Sequence, residues 1–440
     1  MLKAGILLAL VFAAFAMSLR AGFIGLLTWE WLSVMQPQSE VWAGGLVKYL
    51  NFVAGLLTVF AVFTAKDRRM PPVNGFTIMF VIFTIFVILS QIFSMDRSLS
   101  ARHFGIATEV LFISFAAMLL VNSKLKIQVF VWVFVLSLGY YGVTRGLMTL
   151  LGGGSNSIIG PARSILTDNN QFALALASMA PLAYYLFRTS KEYLTRMGAL
   201  GIFVLSIVTV FGTSSRGGLI ALSVMTLGLL TRAKRKFLNL FIIALVCGGT
   251  LLMLPDRWFN RMGTIDNAES DTSFMGRVEA WEVAFELGAA HPLLGMGPRI
   301  HYFPQYNRSV APIQTVGGEA YGLRATHNAF LEIFAGHGAI ALLMYVGMIM
   351  TTFFWCGNVR KMTKKTPGLQ WANELASMLQ ISIAAFTVGS MALSVEYWLG
   401  LWFTMVLAVN LRELVMREKR AMTQRNFQPA PVPLMEEAHT

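Results

Sequence analysis

Apolar stretches long enough to cross a lipid bilayer recur from one end of this 440-residue chain to the other, and each asks for a helix of about 17–25 residues. That repetition allows essentially one fold class, an all-α polytopic membrane protein of about twelve transmembrane helices. Composition agrees, because 56% of the residues are hydrophobic and only 13% are charged. A soluble chain of this length could not cover its surface with so few charges, whereas lipid requires none. The spans fall at roughly 4–20, 42–65, 73–94, 103–121, 127–150, 170–187, 197–213, 217–230, 237–254, 328–355, 373–393 and 397–411. The opening MLKAGILLALVFAAFAM resembles a signal peptide, but further spans follow it and it reads as the first helix. Segment 21–35 is short and rich in tryptophan, so with Trp29, Trp31 and Trp42 in the headgroup zone it reads as interfacial or re-entrant. No internal repeat stands out. Residues 1–425 therefore form a single integral-membrane domain, followed by a disordered cytoplasmic tail at 426–440.

The formal charge of +13 is split among short inter-helix loops rather than gathered on one face, which excludes nucleic acid as a partner. Cys247 and Cys356 both fall in apolar runs, so a structural disulfide is not expected. Alternate loops, KDRR (66–69), NSKLK (122–126), RTSKEYLTR (188–196), TRAKRK (231–236), RKMTKK (360–365) and the tail from Arg412 to Arg425, hold 21 of the 35 basic residues. By the positive-inside rule they mark the cytoplasmic side and place both termini there. The opposite, periplasmic face then carries one long loop, roughly 255–327, with an amphipathic helix inside it.

On that outer face the basic charge is arginine: Arg97, Arg102, Arg145, Arg163, Arg216, Arg257, Arg261, Arg277, Arg299, Arg308 and Arg324, with no lysine. Arginine presents a planar fork that grips phosphate through paired hydrogen bonds and keeps its charge when partly desolvated. Most of the eleven are accounted for by pairing with loop carboxylates or lipid phosphates. A few are candidates for lining a site for a membrane-borne polyanion such as a lipid diphosphate.

Local context selects them. FGTSSRGGLI (211–220) sets Arg216 between small residues at a helix start, where glycines admit close approach and free amides favour an anion; the alternative is a plain interfacial turn. SFMGRVEAWEVAFELGAAHP (273–292) reads as an amphipathic helix on the membrane surface, with Phe274, Met275, Val278, Trp281 and Phe285 as its apolar stripe. Arg277 sits at the stripe's edge, aimed at a headgroup or simply snorkelling. ATHNAFLEIFAGHGAI (325–340) opens the next span, with Asn328 as a helix cap and His327 just outside it, able to accept a proton from an attacking hydroxyl. Glu332 and His337 lie deeper, as second proton handlers or packing residues. GPARSILTDNNQFALALA (160–177) gathers Arg163, Asp168, Asn169 and Asn170 at the membrane edge, Asp168 or Asn169 serving as a cap. Arg145, inside a span near its outer end, is costly there and calls for a partner or a role. The remaining seven arginines, Arg299 among them, read as ordinary loop charges.

The sequence contains no P-loop, no CxxC or HExxH spacing and no Gly-x-Ser-x-Gly elbow, so no metal or nucleotide cofactor is indicated and the chemistry must draw on an activated substrate. The Ser-Arg-Gly turn at 215–217, the Gly-Arg-x-x-x-Trp at 276–281 and the His-Asn-x9-Gly at 327–338, in that order around a long external loop, resemble the O-antigen ligase and polymerase superfamily. GYYGVTRG (139–146), the 160–177 segment and GLLTWEWLSVMQP near the N-terminus resemble its branch of O-glycosylation ligases associated with exosortase systems. Ala341 departs from the Gly, Thr or Tyr that often stands there in the family.

The resemblance implies a glycosyltransferase of the inner membrane that moves a glycan en bloc from undecaprenyl diphosphate to an acceptor hydroxyl on the periplasmic side. It implies Arg216 and Arg277 on the diphosphate, with Arg145 and Arg163 as second candidates, and His327 as the base. Asn170, Asn328, Glu332 and His337 are supporting positions. The preferred acceptor is lipid A–core; a protein Ser/Thr or a growing glycan would use the same chemistry. A transporter of lipid-linked sugars is the competing class, and would need charges near the midplane, for which Glu30, Lys48, Glu109 and Glu396 are the candidates.

Overall fold

The computed structural model describes residues 2–39, 49–66, 68–152, 158–161, 164–232, 272–303 and 325–426, with short pieces of 241–256 and 306–320. The helices are α1 (Leu2–Ser18), α2 (Gly22–Val34), α3 (Leu50–Thr64), α4 (Gly75–Ile92), α5 (Arg97–Leu120), α6 (Lys124–Leu151), α7 (Asn169–Thr189), α8 (Tyr193–Gly212) and α9 (Arg216–Arg232), then α10 (Thr272–Ala290), α11 (Ala329–Thr363), α12 (Gln370–Ser390) and α13 (Leu399–Asn426). Apart from them, Thr315–Val316 pairs antiparallel with Glu319–Ala320. Among the described residues, six helices, α4, α5, α6, α8, α11 and α13, are both long and apolar enough to cross a bilayer. The all-helical polytopic reading is met.

Polar side chains start the helices. Asn74, Asp96, Ser123, Asp168 and Asn328 each accept hydrogen bonds from the first free amides of α4, α5, α6, α7 and α11, groups that have no partner inside the helix. α7 is buried along nearly its whole length and packs against α8, α9 and α12. It is the central post of the bundle, and α4, α11 and α13 form a second group beside it.

The basic loops meet at one end. The Arg417 guanidinium donates to the Asn122 carbonyl at 3.0 Å, Lys419 Nζ to Met362 O at 3.3 Å, and Arg188 pairs with Glu374 at 3.3 Å. Lys124 lies over the Trp371 ring. The candidate site residues lie at the other end.

Segment 21–35 does not lie along an interface. The Lys126 ammonium stands over the Phe23 ring at the basic end, while the Tyr141 hydroxyl donates to Met35 O at 2.7 Å farther up. Between Lys126 and Tyr141, α6 rises about 22 Å, so α2 runs through the layer beside it. Trp29 is buried against Gly55 and Phe112 rather than in a headgroup zone. Leu19–Ala21 folds α1 back on α2 and α3, where Leu7, Val11 and Phe15 are buried. The start of α1 therefore sits at the site end of the bundle.

α11 is broken at Gly338, which has φ 86° and ψ 177°. Segment 291–299 docks into the break: Met296 N–H donates to Ala335 O at 2.9 Å, Gly297 N–H to Gly336 O at 3.1 Å, and Ala339 N–H to Pro292 O at 2.7 Å. The groups freed by the break are thus paired again, as an interrupted helix at membrane depth requires. A Cβ at Gly338 would stand 2.4 Å from Leu293 O. The glycine that ends the His-Asn-x9-Gly pattern is a requirement of this joint.

Candidate functional site

The spacing of the Gly-Arg-x-x-x-Trp pattern puts Arg277 and Trp281 one turn apart on the same face of α10. Trp281 Nε1 donates to the Thr326 carbonyl at 2.6 Å, immediately before His327. The buried stripe of α10 differs from the expected one. Ala280, Val283, Ala284 and Leu287 face inward, whereas Phe285 is exposed and rests on Phe334 of α11. Small residues let α10 sit closely on α11, and the tryptophan serves as its latch.

His327 occupies the left-handed region, φ 47°, an uncommon conformation for a residue with a Cβ. Ser394 Oγ accepts its backbone N–H at 3.0 Å, and Asn328 caps α11 with its side chain on the amides of Phe330 and Leu331. Asn328 is thus a structural cap. The His327 Nδ1 is buried, with no hydrogen bond from the described residues. Burial first, then the Arg277 charge, holds the imidazole below its ordinary pKa, with Asp168 acting in the opposite direction. A half-buried neutral imidazole with an uncommitted nitrogen is suited to taking a proton.

The start of α7 ties the Arg216 turn to the segment that holds His327. Asn169 Nδ2 donates to Thr213 O at 2.8 Å, Asn170 Nδ2 to Asn169 Oδ1 at 3.2 Å, and Gln171 Nε2 to Ser394 O at 3.3 Å. Thr213 begins the turn that ends in Arg216, the first residue of α9. Ser214 in that turn is also left-handed, φ 52°, and the buried Ser215 accepts the Gly218 N–H at 3.0 Å. Gly218 is there for packing, since a Cβ would fall 2.4 Å from Ala173 of α7. Gly217 faces open space, as close ligand approach requires.

Beneath His327 lies a network that the sequence does not reveal. Arg299, left-handed at φ 56°, pairs with Glu396 at 3.2 Å and Glu332 at 3.7 Å. Glu332 also accepts from Ser394 Oγ at 2.6 Å and from the Tyr302 hydroxyl, and lies 3.4 Å from His301. His301 Nε2 reaches Thr326 Oγ1 at 3.1 Å. Burial alone would lower the Arg299 pKa, but Glu396 and Glu332 outweigh it and raise it. Burial pushes the Glu396 carboxyl up to about 7 against the pull of Arg299. Arg299 is therefore no ordinary loop charge, and Glu396 belongs to this end of the bundle rather than to a midplane pathway.

His337 is committed on both nitrogens. Ser90 Oγ lies 2.6 Å from Nδ1 and the Tyr397 hydroxyl 2.6 Å from Nε2. Ser90 gives its own proton to Val87 O at 2.8 Å, so it accepts from Nδ1–H, and Nε2 accepts from Tyr397. The ring is a staple between α4, α11 and the 391–398 segment. Arg145 stands one turn above Tyr141 with a contact to Met148 Sδ at 3.4 Å, and no acid pairs with it among the described residues. Arg163 lies outside the described residues, as do Lys48 and parts of the 255–327 loop. Glu30, the other midplane candidate, is wholly buried in α2 without a hydrogen bond, while Glu109 accepts from Asn51 at 2.6 Å. Between α2, α6 and α8 runs an apolar groove of about 630 Å³, lined by Leu27, Trp31, Leu136, Tyr140 and Ile202 among others. Its upper end, at Thr144, adjoins Arg145.

The fold and this site define a multi-pass membrane protein with a histidine and arginines assembled at one end of its helices. Residues 201–346 match the family described as O-antigen ligase, and residues 2–191 match a family of unknown function. Residues 201–346 thus carry an O-antigen ligase domain, which supports a membrane glycosyl-transfer function of ligase or polymerase type. No curated protein matches it.

Proposed function

We propose that this protein transfers a glycan en bloc from undecaprenyl diphosphate to an acceptor hydroxyl. The observation that carries the reading is His327, with a buried, uncommitted Nδ1, held beside Arg277 by the Trp281–Thr326 hydrogen bond. The acceptor oxygen attacks the anomeric carbon, its proton passes to His327, and the bond from that carbon to the diphosphate oxygen breaks. Arg216 and Arg277 bind the departing diphosphate, where a developing charge is met by preorganised forks. Arg145 and Arg163 are the second pair of diphosphate ligands, and the apolar groove below Arg145 seats isoprenoid units. A direct attack inverts the anomeric centre. The histidine contributes about 10²–10⁴-fold as base, and each arginine on the order of 2–4 kcal/mol.

The reaction needs neither metal nor nucleotide, because the diphosphate ester is already activated. We assign the preferred acceptor as lipid A–core, with a protein Ser/Thr or a growing glycan as alternatives, and place the chain in the exosortase-associated branch. We place the site on the periplasmic face of the inner membrane, a reading that the basic loops at the opposite end support. Residues 1–425 act as one domain, with 426–440 as a tail. The test is incubation of purified protein with a lipid-diphosphate-linked glycan and each acceptor, without ATP or metal. Product is expected with the native chain and not with His327→Ala. Glycan that crosses vesicles without being transferred would instead establish a transporter.

A further inference from the structure

Three hydrogen bonds converge on Thr326 and His327, and a side-chain cap starts the helix just after them. Trp281 holds the Thr326 carbonyl, His301 meets the Thr326 hydroxyl, Asn328 caps the next helix, and Ser394 takes the His327 N–H. Among the described residues, Ser394 is the one that bonds His327 itself. The His327 N–H precedes the cap of α11 and has no acceptor within that helix, so the side chain that accepts it helps hold the left-handed conformation. Ser394 is in turn held by Glu332 at 2.6 Å, and its own carbonyl accepts from Gln171 of α7 and from Arg299 at 3.5 Å. The Arg299–Glu396 pair is anchored only two residues beyond Ser394. Segment 391–398 is thereby fixed to α7, α11 and segment 291–299 at once.

We propose that Ser394, oriented by Glu332 and by the Arg299–Glu396 pair, is a positioning residue for the His327 imidazole. Its hydroxyl holds the His327 backbone in the left-handed turn that sets the ring beside Arg277. The inference rests on the glycosyl-transfer reading above, since it assigns a task within that reaction. Neither Ser394 nor Arg299 touches the reacting atoms. Their loss should therefore lower turnover without weakening donor binding.

The experiment measures kcat, donor KM and the acid limb of the pH profile for the native chain, Ser394→Ala and Ser394→Thr, each checked for monodispersity in detergent. Ser394→Ala is expected to lose ten- to hundredfold in kcat with donor KM within threefold. Its acid limb should move to higher pH, because a ring released from its burial and from Arg277 is more easily protonated. Ser394→Thr keeps the acceptor and should return kcat to within threefold of native. If Ser394→Ala does not fold, Ser394→Cys, similar in size and a poor acceptor, takes its place with the same expected loss. A kcat within threefold of native in the Ala or Cys variant would overturn the inference, as would a loss that appears with an unmoved acid limb or without Thr rescue. A native chain inactive with every donor and acceptor would overturn the glycosyl-transfer reading instead.

Discussion

Trp281→Phe isolates the latch between the arginine helix and the histidine turn. The substitution keeps an aromatic ring on α10 and removes only the N–H that donates to Thr326 O at 2.6 Å. Thr326 is 1% exposed, so water does not replace the lost donor. A buried carbonyl left without its partner costs about 1–3 kcal/mol. Ala280, Val283, Ala284 and Leu287 still hold α10 against the bundle, so the helix stays folded while its register against His327 loosens. If the whole cost falls on the geometry of the transition state, kcat/KM drops by roughly 5- to 150-fold, at tenfold per 1.4 kcal/mol. Glycan transfer with saturating acceptor and varied donor reads this directly, and detergent thermal unfolding reports stability separately. Arg277 also contacts the donor, so both KM and kcat should move. A kcat/KM within twofold of native in a well-folded variant would show that Trp281 does not place Arg277, and the coupling of the two motifs through α10 would be refuted.

Arg277→Gln should raise the acid limb of kcat/KM, since the cation that disfavours the His327 imidazolium is gone; an unmoved limb would place the arginine away from the base. Lysine at Arg216 or Arg277 keeps charge but not the fork, so activity should fall at least tenfold; near-native activity in both variants would remove paired phosphate recognition. Glu396 holds its proton up to about 7 against an ordinary value of 4.5. Folding therefore favours its protonated form, and that share of stability is fully present below pH 4.5 and lost as pH rises to about 7. The midpoint of thermal unfolding should fall across that window in the native chain, with a flatter slope in Glu396→Gln; equal slopes would refute the assignment. Gly338→Ala meets Leu293 O and a φ of 86°, a strain of about 1–3 kcal/mol, and should lower the unfolding midpoint by several degrees; an unchanged midpoint would mean that the joint yields.

The membrane class and the three motifs were legible because each is local: apolar runs, a helix cap, an i, i+4 pair on one face. Lysine loops gave the basic end for the same reason. Segment 21–35 was misread because its shortness and its tryptophans look interfacial until α3, α5 and α6 pack on it, and no property of the segment alone reports its neighbours. Arg299 was misread for a like cause. Its two carboxylates come from α11 and from the turn before α13, far along the chain, so its sequence context is that of any loop arginine. The available signal was Met-Gly-Pro-Arg, where Gly295 and Gly297 both take positive φ to fit the break in α11.

Four residues with a Cβ hold a positive φ among those described, and three of them, Ser214, Arg299 and His327, lie at this one end of the bundle. Each sits at a different point of the site: the turn into Arg216, the pivot of the carboxylate pair, and the proposed base. Strain of this kind persists only where surroundings over-determine it; here Arg299 and His327 are each tied to another element, and Thr213, beside Ser214, is tied to α7. The site's order therefore comes from cross-ties rather than from the helices that deliver its residues. This explains why short motifs could name Arg216, Arg277 and His327 but not the groups that hold them. It also places the sensitivity of the reaction in Ser394, Trp281 and Arg299, where loss of one tie frees a strained turn to relax.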